Sequence, residues 1–181
     1  KDESWGNQAY YWGSGNHVSG SKHNITWGEE DYMQSQMRQM RTKYTSKGIP
    51  VIMGEFGTLW RTMPQLEQEK HDASIYSWYY TLCRYAIHNG VVPFVWDTNN
   101  CQRPSMDILN RKTLTVFNQI ALKGIIEGCA SVKWPVTTAV DKVYVGPSPR
   151  PRHIYDLMGR TLTSVPSKSF CIIDGKKYIR N

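Results

Sequence analysis

At 181 residues, with 40% apolar and 20% charged side chains, the chain is long enough for one ordinary domain with an appendage and too short for two full-sized ones. That make-up excludes a wholly disordered or collagen-like protein, and no apolar run approaches the roughly 18 residues that a membrane span requires. The net charge of +7 invites a nucleic-acid reading, but the charge is segregated: residues 1–132 hold 13 basic and 12 acidic side chains, whereas 133–181 hold nine basic and three acidic. Six of the seven Trp and eight of the eleven Tyr precede position 133. A near-neutral, aromatic-rich body is followed by a basic tail, and the two are read separately.

The first five residues, Lys1 to Trp5, lack the apolar core of a signal peptide, so any export leader is expected to have been removed or to lie upstream. Residues 8–12 (QAYYW) are predicted to be a strand, followed by a polar loop through His17. Asn24-Ile25-Thr26 fits a glycosylation sequon, a three-residue match that arises often by chance. Residues 30–47 are a predicted helix with Met33, Met37, Met40 and Tyr44 on one face. Glu29 and Glu30 make a solvated first turn suited to the helix N-terminus, and Gly48 with Pro50 stops it. Residues 50–56 (PVIMGEF) form a near-continuous apolar run, as in a parallel strand covered on both faces.

A second predicted helix, 66–89, carries Ala73, Tyr76, Tyr80, Cys83 and Ile87 at helical spacing, with Gly90 at its stop. Residues 91–96 (VVPFVW) read as another buried strand, and 114–127 as a third helix, carrying Leu114, Phe117, Ile120, Ala121, Ile125 and Ile126, with Gly128 closing it. Strand starts near 8, 50 and 91, about 41 residues apart, indicate successive βα units and a parallel α/β fold. No GxGxxG follows a strand and no P-loop is present. A (β/α)8 barrel takes roughly 250 residues, so the body supplies about three of eight units. Cys83, Cys101, Cys129 and Cys171 show no CxxC spacing and decide neither metal binding nor redox compartment.

In a parallel barrel the chemistry lies where strands end. The second strand ends Gly54-Glu55-Phe56-Gly57. A lone Glu at a strand end is ordinarily just solvated, but the flanking glycines permit close backbone approach and a sharp exit. The third ends in Trp96-Asp97-Thr98-Asn99-Asn100. A Trp in a parallel core usually packs; an indole followed by a carboxylate and amides also supplies what a sugar site needs, a ring face for stacking and hydrogen bonds for hydroxyls.

These residues resemble a family. Lys47-Gly48-Ile49-Pro50-Val51-Ile52-Met53-Gly54-Glu55-Phe56-Gly57 is similar to the seventh strand of family 5 glycoside hydrolases, the cellulase-type endoglucanases. Val92-Pro93-Phe94-Val95-Trp96-Asp97 resembles their eighth strand, and Tyr10-Tyr11-Trp12-Gly13 the end of the sixth. The resemblance covers residues 5–128 and implies the C-terminal part, about strands six to eight, of a (β/α)8 TIM barrel. It implies that Glu55 is the nucleophile of a retaining glycosidase, that Trp96 stacks beneath the sugar, and that a Tyr at the end of strand six, Tyr11 ahead of Tyr10, holds the nucleophile ionised. Trp12, His17, Asp97 and Asn99 are the further expected substrate contacts. No cofactor or metal is implied.

The sequence departs from the family pattern twice. The His normally two residues before the supporting Tyr is replaced by Ala9, or by Gln8 if Tyr10 is the counterpart. No Asn-Glu pair, which carries the acid/base on strand four, occurs in the sequence, so that group and strands one to five are expected on a missing N-terminal segment. Without them the fragment would expose apolar strand edges, and the N-terminal barrel fragment or self-association is the expected remedy.

The tail divides into a Pro/Arg-rich linker, 129–153, and a short β segment, 154–181. Tyr155-Asp156-Leu157-Met158-Gly159-Arg160 and Asp174-Gly175-Lys176-Lys177 resemble the C-terminal sorting segments of Bacteroidetes type IX secretion, which implies a secreted or cell-surface protein; otherwise the segment is a small β appendage. The resemblance thus implies hydrolysis of β-1,4-glucan, cellulose or mixed-linkage, with mannan or xyloglucan as other substrates of the fold. A non-catalytic glycan-binding protein using Trp96 and Trp12 is a separate class. Nucleic-acid binding through the tail is disfavoured, and no membrane span is expected.

Overall fold

A computed structural model describes residues 9–135, 154–164, 169–173 and 176–180, which belong to two compact units, Lys1–Lys142 and Val143–Asn181. In the first, α1 (Glu30–Lys43), β1 (Val51–Phe56), α2 (Gln65–His88) and β2 (Val91–Val95) precede a short hairpin, β3 (Leu109–Asn110) and β4 (Thr115–Val116), and then α3 (Gln119–Ala130). No described helix is long and apolar enough to cross a membrane.

The parallel pair β1–β2 is the centre of this unit. Val51 pairs with Val91, Ile52 with Val92 and Met53 with Pro93; the ladder then slips, and Phe56 faces Val95. The three steps from Met53 to Phe56 match two from Pro93 to Val95, so one extra residue is accommodated at Gly54-Glu55. Such a bulge reverses the alternation of side chains beyond it. Met53 packs against the core on the helix side, and after the bulge Phe56 lies on that side too, buried with Tyr79 and Leu82. The other face of the pair leaves Ile52, Val92 and Phe94 exposed.

The predicted strand at 8–12 is reduced, among the described residues, to one isolated bridge from Tyr11 to Asn24. The cause is local: the Tyr10 and Tyr11 N–H groups both donate to the His23 carbonyl, and Ile25 N–H donates to Tyr11 O, so the turn at 23–25 takes up backbone groups that a ladder would use.

The helices form where predicted, with shifted edges. Acidic Glu30 and Asp31 begin α1 and basic Arg41 and Lys43 end it, complementing its dipole. It stops before Lys47, because Thr45–Lys47 tightens into a 3-10 turn closed by Gly48 at φ 76°. Tyr44 is consequently exposed, while Thr45 is buried, its hydroxyl donating to Asn89 O at 2.6 Å. In α2 the core face is His71, Ile75, Tyr79, Leu82, Cys83 and Ala86; of the predicted row Cys83 belongs to it, whereas Tyr76 and Tyr80 lie against Gly124 and Gly128 of α3, which covers the helix on a second side. A Cβ on Gly124 would lie 2.7 Å from the Tyr76 carbonyl oxygen, so α3 approaches α2 closely enough to require glycine there.

The third helix starts at Gln119, not at 114. Leu114 sits in the β3–β4 turn at φ 56°, 89% exposed, and Asn118 caps the helix by accepting from Ala121 N–H at 3.0 Å. Gly128 lies inside α3, against Tyr80, and does not end it. The predicted linker start at 129 is likewise displaced, since α3 runs through Ala130; residues 136–153 lie outside the described residues.

In the second unit, β5 (Ile154–Tyr155), β6 (Thr161–Leu162), β7 (Ser169–Ile173) and β8 (Lys176–Arg180) form an antiparallel sheet in the order β6-β5-β7-β8. Asp156 organises the β5–β6 turn: its carboxylate accepts from Met158 and Arg160 N–H and meets Arg160 Nε at 2.6 Å. The predicted Asp174-Gly175 turn lies outside the described residues.

Candidate active site

The C-terminal ends of β1 and β2 bring two of the predicted groups together. Glu55 occupies the bulge of β1, exposed, with no hydrogen-bond partner among the described residues. One residue on, Phe56 O accepts from Trp96 N–H at 2.8 Å, so the residue that follows β2 is fastened beside the bulge. The Trp96 side chain remains 47% exposed. It borders a groove of about 350 Å³ whose walls include Val95, Ile108, Leu109, Arg111 and Leu122. An exposed carboxylate and a half-open indole thus stand at the ends of two neighbouring parallel strands.

The loop that carries Trp96 is held by two carboxylates in a reciprocal clasp. Asp97 Oδ2 accepts from Ile108 N–H at 3.0 Å and Leu109 N–H at 2.9 Å, while its Oδ1 takes Asn99 N–H at 2.9 Å and the Arg111 guanidinium at 3.3 Å. Asp107, fully buried, accepts in return from Thr98 N–H and hydroxyl, both 2.7 Å, and from Asn100 and Cys101 N–H at 2.8 and 2.7 Å. Burial alone would raise the Asp107 pKa, but the Thr98 hydroxyl and the converging N–H donors outweigh it and hold the carboxyl below its ordinary value. Asn99 and Cys101 adopt left-handed φ of 57° and 52°, a conformation that the clasp sustains. A further tie, Trp60 N–H to Ser105 O at 2.8 Å, fixes the middle of the loop.

This geometry corrects several expectations. Asp97 is occupied by backbone donors and Arg111 although it borders the groove beside Trp96, and Asn99 Oδ1 accepts from Arg111 N–H at 2.8 Å, so both carry a loop-shaping role that the sequence did not suggest. Trp12 is a core residue, 7% exposed, with Nε1 donating to Gly28 O at 3.0 Å and its amide to Ser74 Oγ at 3.1 Å; it presents no platform. His17 Nε2 lies 2.7 Å from Glu29 Oε1, which also accepts from Gly13 N–H at 3.0 Å. Both residues therefore belong to a structural tie, and Glu29 is not simply solvated.

Tyr11 is buried, and its hydroxyl donates to Glu67 Oε2 at 3.2 Å, not to Glu55. Burial, and then the Glu67 carboxylate, push its pKa up to about 12. The backbone pairing with 23–25 places this segment away from the β1 ladder, which accounts for the difference. Tyr10 stacks on His23 at 4.1 Å between ring centroids, with the Arg61 guanidinium 5.1 Å from its ring.

Asp107 and Arg111 escaped the sequence reading. The available signal was a run of Asp and Asn side chains in a loop, the type that accepts backbone N–H groups nearby. No group of three or more His, Cys, Asp or Glu among the described residues is arranged to hold a metal ion.

Comparison with known proteins assigns the class. Residues 10–102, just over half of the chain, match the family Cellulase (glycosyl hydrolase family 5), and the chain belongs to that family, whose fold is the (β/α)8 barrel. Endoglucanase A of Paenibacillus barcinonensis is 32% identical over 103 residues, 57% of this chain and 25% of its own. Among solved structures, XEG5B, a xyloglucan-specific β-1,4-glucanase from a ruminal metagenomic library in complex with XXLG, is 41% identical with a TM-score of 0.69, covering 74% of this chain and 35% of its own. A family 5 xyloglucanase from Paenibacillus pabuli is 25% identical with a TM-score of 0.58, over 67% of this chain and 33% of its own. The chain thus spans a quarter to about a third of the length of these relatives.

Proposed function

We propose that the chain carries the nucleophile half of a retaining endo-β-1,4-glucanase site, with Glu55 as nucleophile and Trp96 as the stacking residue at the cleavage point. The observation that carries this reading is the position of Glu55: an unpaired carboxylate in a bulge at the C-terminal end of a parallel strand, one residue from the backbone tie to Trp96. The Glu55 carboxylate attacks the anomeric carbon while the bond from that carbon to the leaving oxygen breaks. A second carboxyl group, about 5 to 5.5 Å away in retaining enzymes, protonates that oxygen and then activates the water that releases the sugar.

The second carboxyl group and the strands that would cover Ile52, Val92 and Phe94 belong, in this reading, to further polypeptide of the same barrel. The share of the relatives' length that the chain spans supports this. The similarity to XEG5B favours xyloglucan, whose backbone is itself a β-1,4-glucan, as a substrate beside unbranched glucan. The likeness of the tail to sorting segments supports a secreted or surface-held enzyme, the setting in which insoluble polysaccharide is met.

Glu55→Gln in the full-length enzyme is expected to abolish hydrolysis of xyloglucan and carboxymethylcellulose while leaving oligosaccharide affinity within about threefold. Retained hydrolysis would remove Glu55 as nucleophile. A parent enzyme that binds oligosaccharide but never cleaves it would support the glycan-binding class instead. The 181-residue chain alone is expected to be inactive.

A further inference from the structure

The spacing of the four cysteines pairs none of them, but the packing of α3 on α2 singles out two. A Cβ on Gly124 would crowd the Tyr76 carbonyl and the Tyr79 side chain, and one on Gly128 would crowd the Tyr80 backbone. The contact advances four residues on each helix, so α2 and α3 run in the same direction with their backbones touching. Ordinary helix pairs keep their axes about 8–10 Å apart, and glycine at two successive turns closes that distance. Cys83 lies one turn beyond Tyr79, fully buried in the core. Cys129 continues the row of Ala121 and Ile125 on α3 and, half-buried, packs against the same cluster. The two thiols are hydrogen-bond neighbours across the helix interface. A disulfide spans Cα atoms only about 4.4–6.8 Å apart, a separation that glycine-spaced helices allow.

The surroundings select among the uses of such a pair. A metal site needs more ligands than two, and no group of three or more His, Cys, Asp or Glu among the described residues is arranged to hold an ion. A reactive thiol needs a setting that favours the thiolate; burial, and then the adjoining Cys129, push the Cys83 thiol the other way. The remaining cysteines are placed elsewhere: Cys101 donates to Leu109 O at 3.6 Å in the loop after β2, and Cys171 belongs to the second unit. The helix pair has a use for a covalent tie. Among the described elements α3 packs chiefly on α2, and its two glycine contacts bring no side chain of their own into the interface.

We propose that Cys83 and Cys129 are joined in a disulfide that fastens α3 to α2. The step is a thiol–disulfide exchange with a disulfide carrier, either oxidised glutathione or a thiol–disulfide oxidoreductase. The Cys129 thiolate, the more accessible, attacks the carrier and one carrier thiol leaves; the Cys83 thiolate then attacks the Cys129 sulfur and the second carrier thiol leaves. The cysteine pair gives up two electrons and two protons, and the carrier is reduced to two thiols that hold them. Because Cys83 is sealed in the core, the second attack belongs to folding, and the finished bond is shielded from reductant. The test is refolding of the full-length enzyme in a glutathione redox buffer, followed by alkylation of free thiols and non-reducing peptide mapping by mass spectrometry. A peptide pair linked through Cys83 and Cys129 is expected, with a urea midpoint about 1 M above that of the same enzyme refolded with reductant. Cys129→Ser should remove both the linked pair and the shift, leaving the midpoint of the reduced parent. Alkylated Cys83 in the refolded parent, Cys83 joined to another partner, Cys129 capped by glutathione alone, or an unchanged midpoint would each overturn the proposal. No readout here involves hydrolysis, so its outcome is separate from that of Glu55→Gln.

Discussion

Trp12 and Trp96 each stand at the head of a polar loop, yet one is sealed in the core and the other half-open at the strand ends. The difference lies in what closes over them. The Trp12 indole finds Gly28 O, its amide finds Ser74 on α2, and Met33 of α1 joins the same cluster. Trp96 is followed by a loop that the Asp97 and Asp107 carboxylates hold in shape from within, and among the described residues no equivalent acceptor draws its indole inward. A string of indole plus polar residues therefore does not determine on which side of the backbone the ring will lie. The partners of the neighbouring peptide groups determine it.

The largest expected effect would break this comparison outright if it failed. Trp12→Ala removes a buried indole and should destabilise the unit by about 3–5 kcal/mol, measured by urea unfolding. Trp96→Ala should cost no more than about 1 kcal/mol, and its loss should register in oligosaccharide affinity. The opposite ranking would mean that the two indoles exchange roles.

Next in size is Asp107→Ala, which removes the buried acceptor shared by four donors of the loop at 98–101. A cost of about 2–3 kcal/mol is expected, together with faster hydrogen exchange at residues 98–101 than at 10–12. Equal exchange in the parent and the variant would show that the clasp is not what holds the loop.

Acid should separate the two regions in sequence. His71 is buried, with Nε2 accepting from Arg61 N–H at 2.9 Å and Nδ1 lying 2.9 Å from Tyr10 O, so the ring is neutral and protonated on Nδ1. Burial lowers its pKa from the ordinary 6.5. The unfolded chain therefore binds this proton first, and the stability contributed by neutral His71 is complete above about pH 6.5 and declines as the pH falls below it. The contribution of Asp107, whose folded pKa is depressed below 3.8, persists above that value and is lost as the pH falls through the folded one. Hydrogen exchange in steps from pH 7 to 3 should show the Tyr10–Trp12 segment loosening before the Trp96–Arg111 loop.

Some of this was legible in the sequence and some was not, for physical reasons. The apolar runs at β1 and β2 and the glycines at 48 and 90 fixed the βα order, because burial on both faces and left-handed turns leave direct marks on composition. The bulge at Glu55 was foreshadowed only by Gly54, since register depends on the partner strand. Of the predicted α2 row only Cys83 lies in the core, because a helix buried on two sides carries no single apolar stripe. Tyr11 and Trp12 look like site residues in the sequence because their string resembles a barrel strand; the turn at 23–25 that captures the backbone is a tertiary contact, which short-range pattern does not encode. Asp107 is separated from Asp97 by a loop, and only its closure reveals the reciprocal clasp.

The smallest expected effect sharpens the account of how the Trp12 region is tied to α1. Glu29 Oε1 serves both Gly13 N–H and His17, so the two interactions share one acceptor. His17→Ala removes only the partly exposed half and should cost about 0.5 kcal/mol, as partly exposed polar contacts do. Glu29→Ala frees both donors and should cost about 1–1.5 kcal/mol. Because His17 is held by little else, the double variant should be no less stable than Glu29→Ala alone, a non-additivity that a double-mutant cycle in thermal unfolding can resolve. Full additivity would mean that His17 acts through a contact other than Glu29.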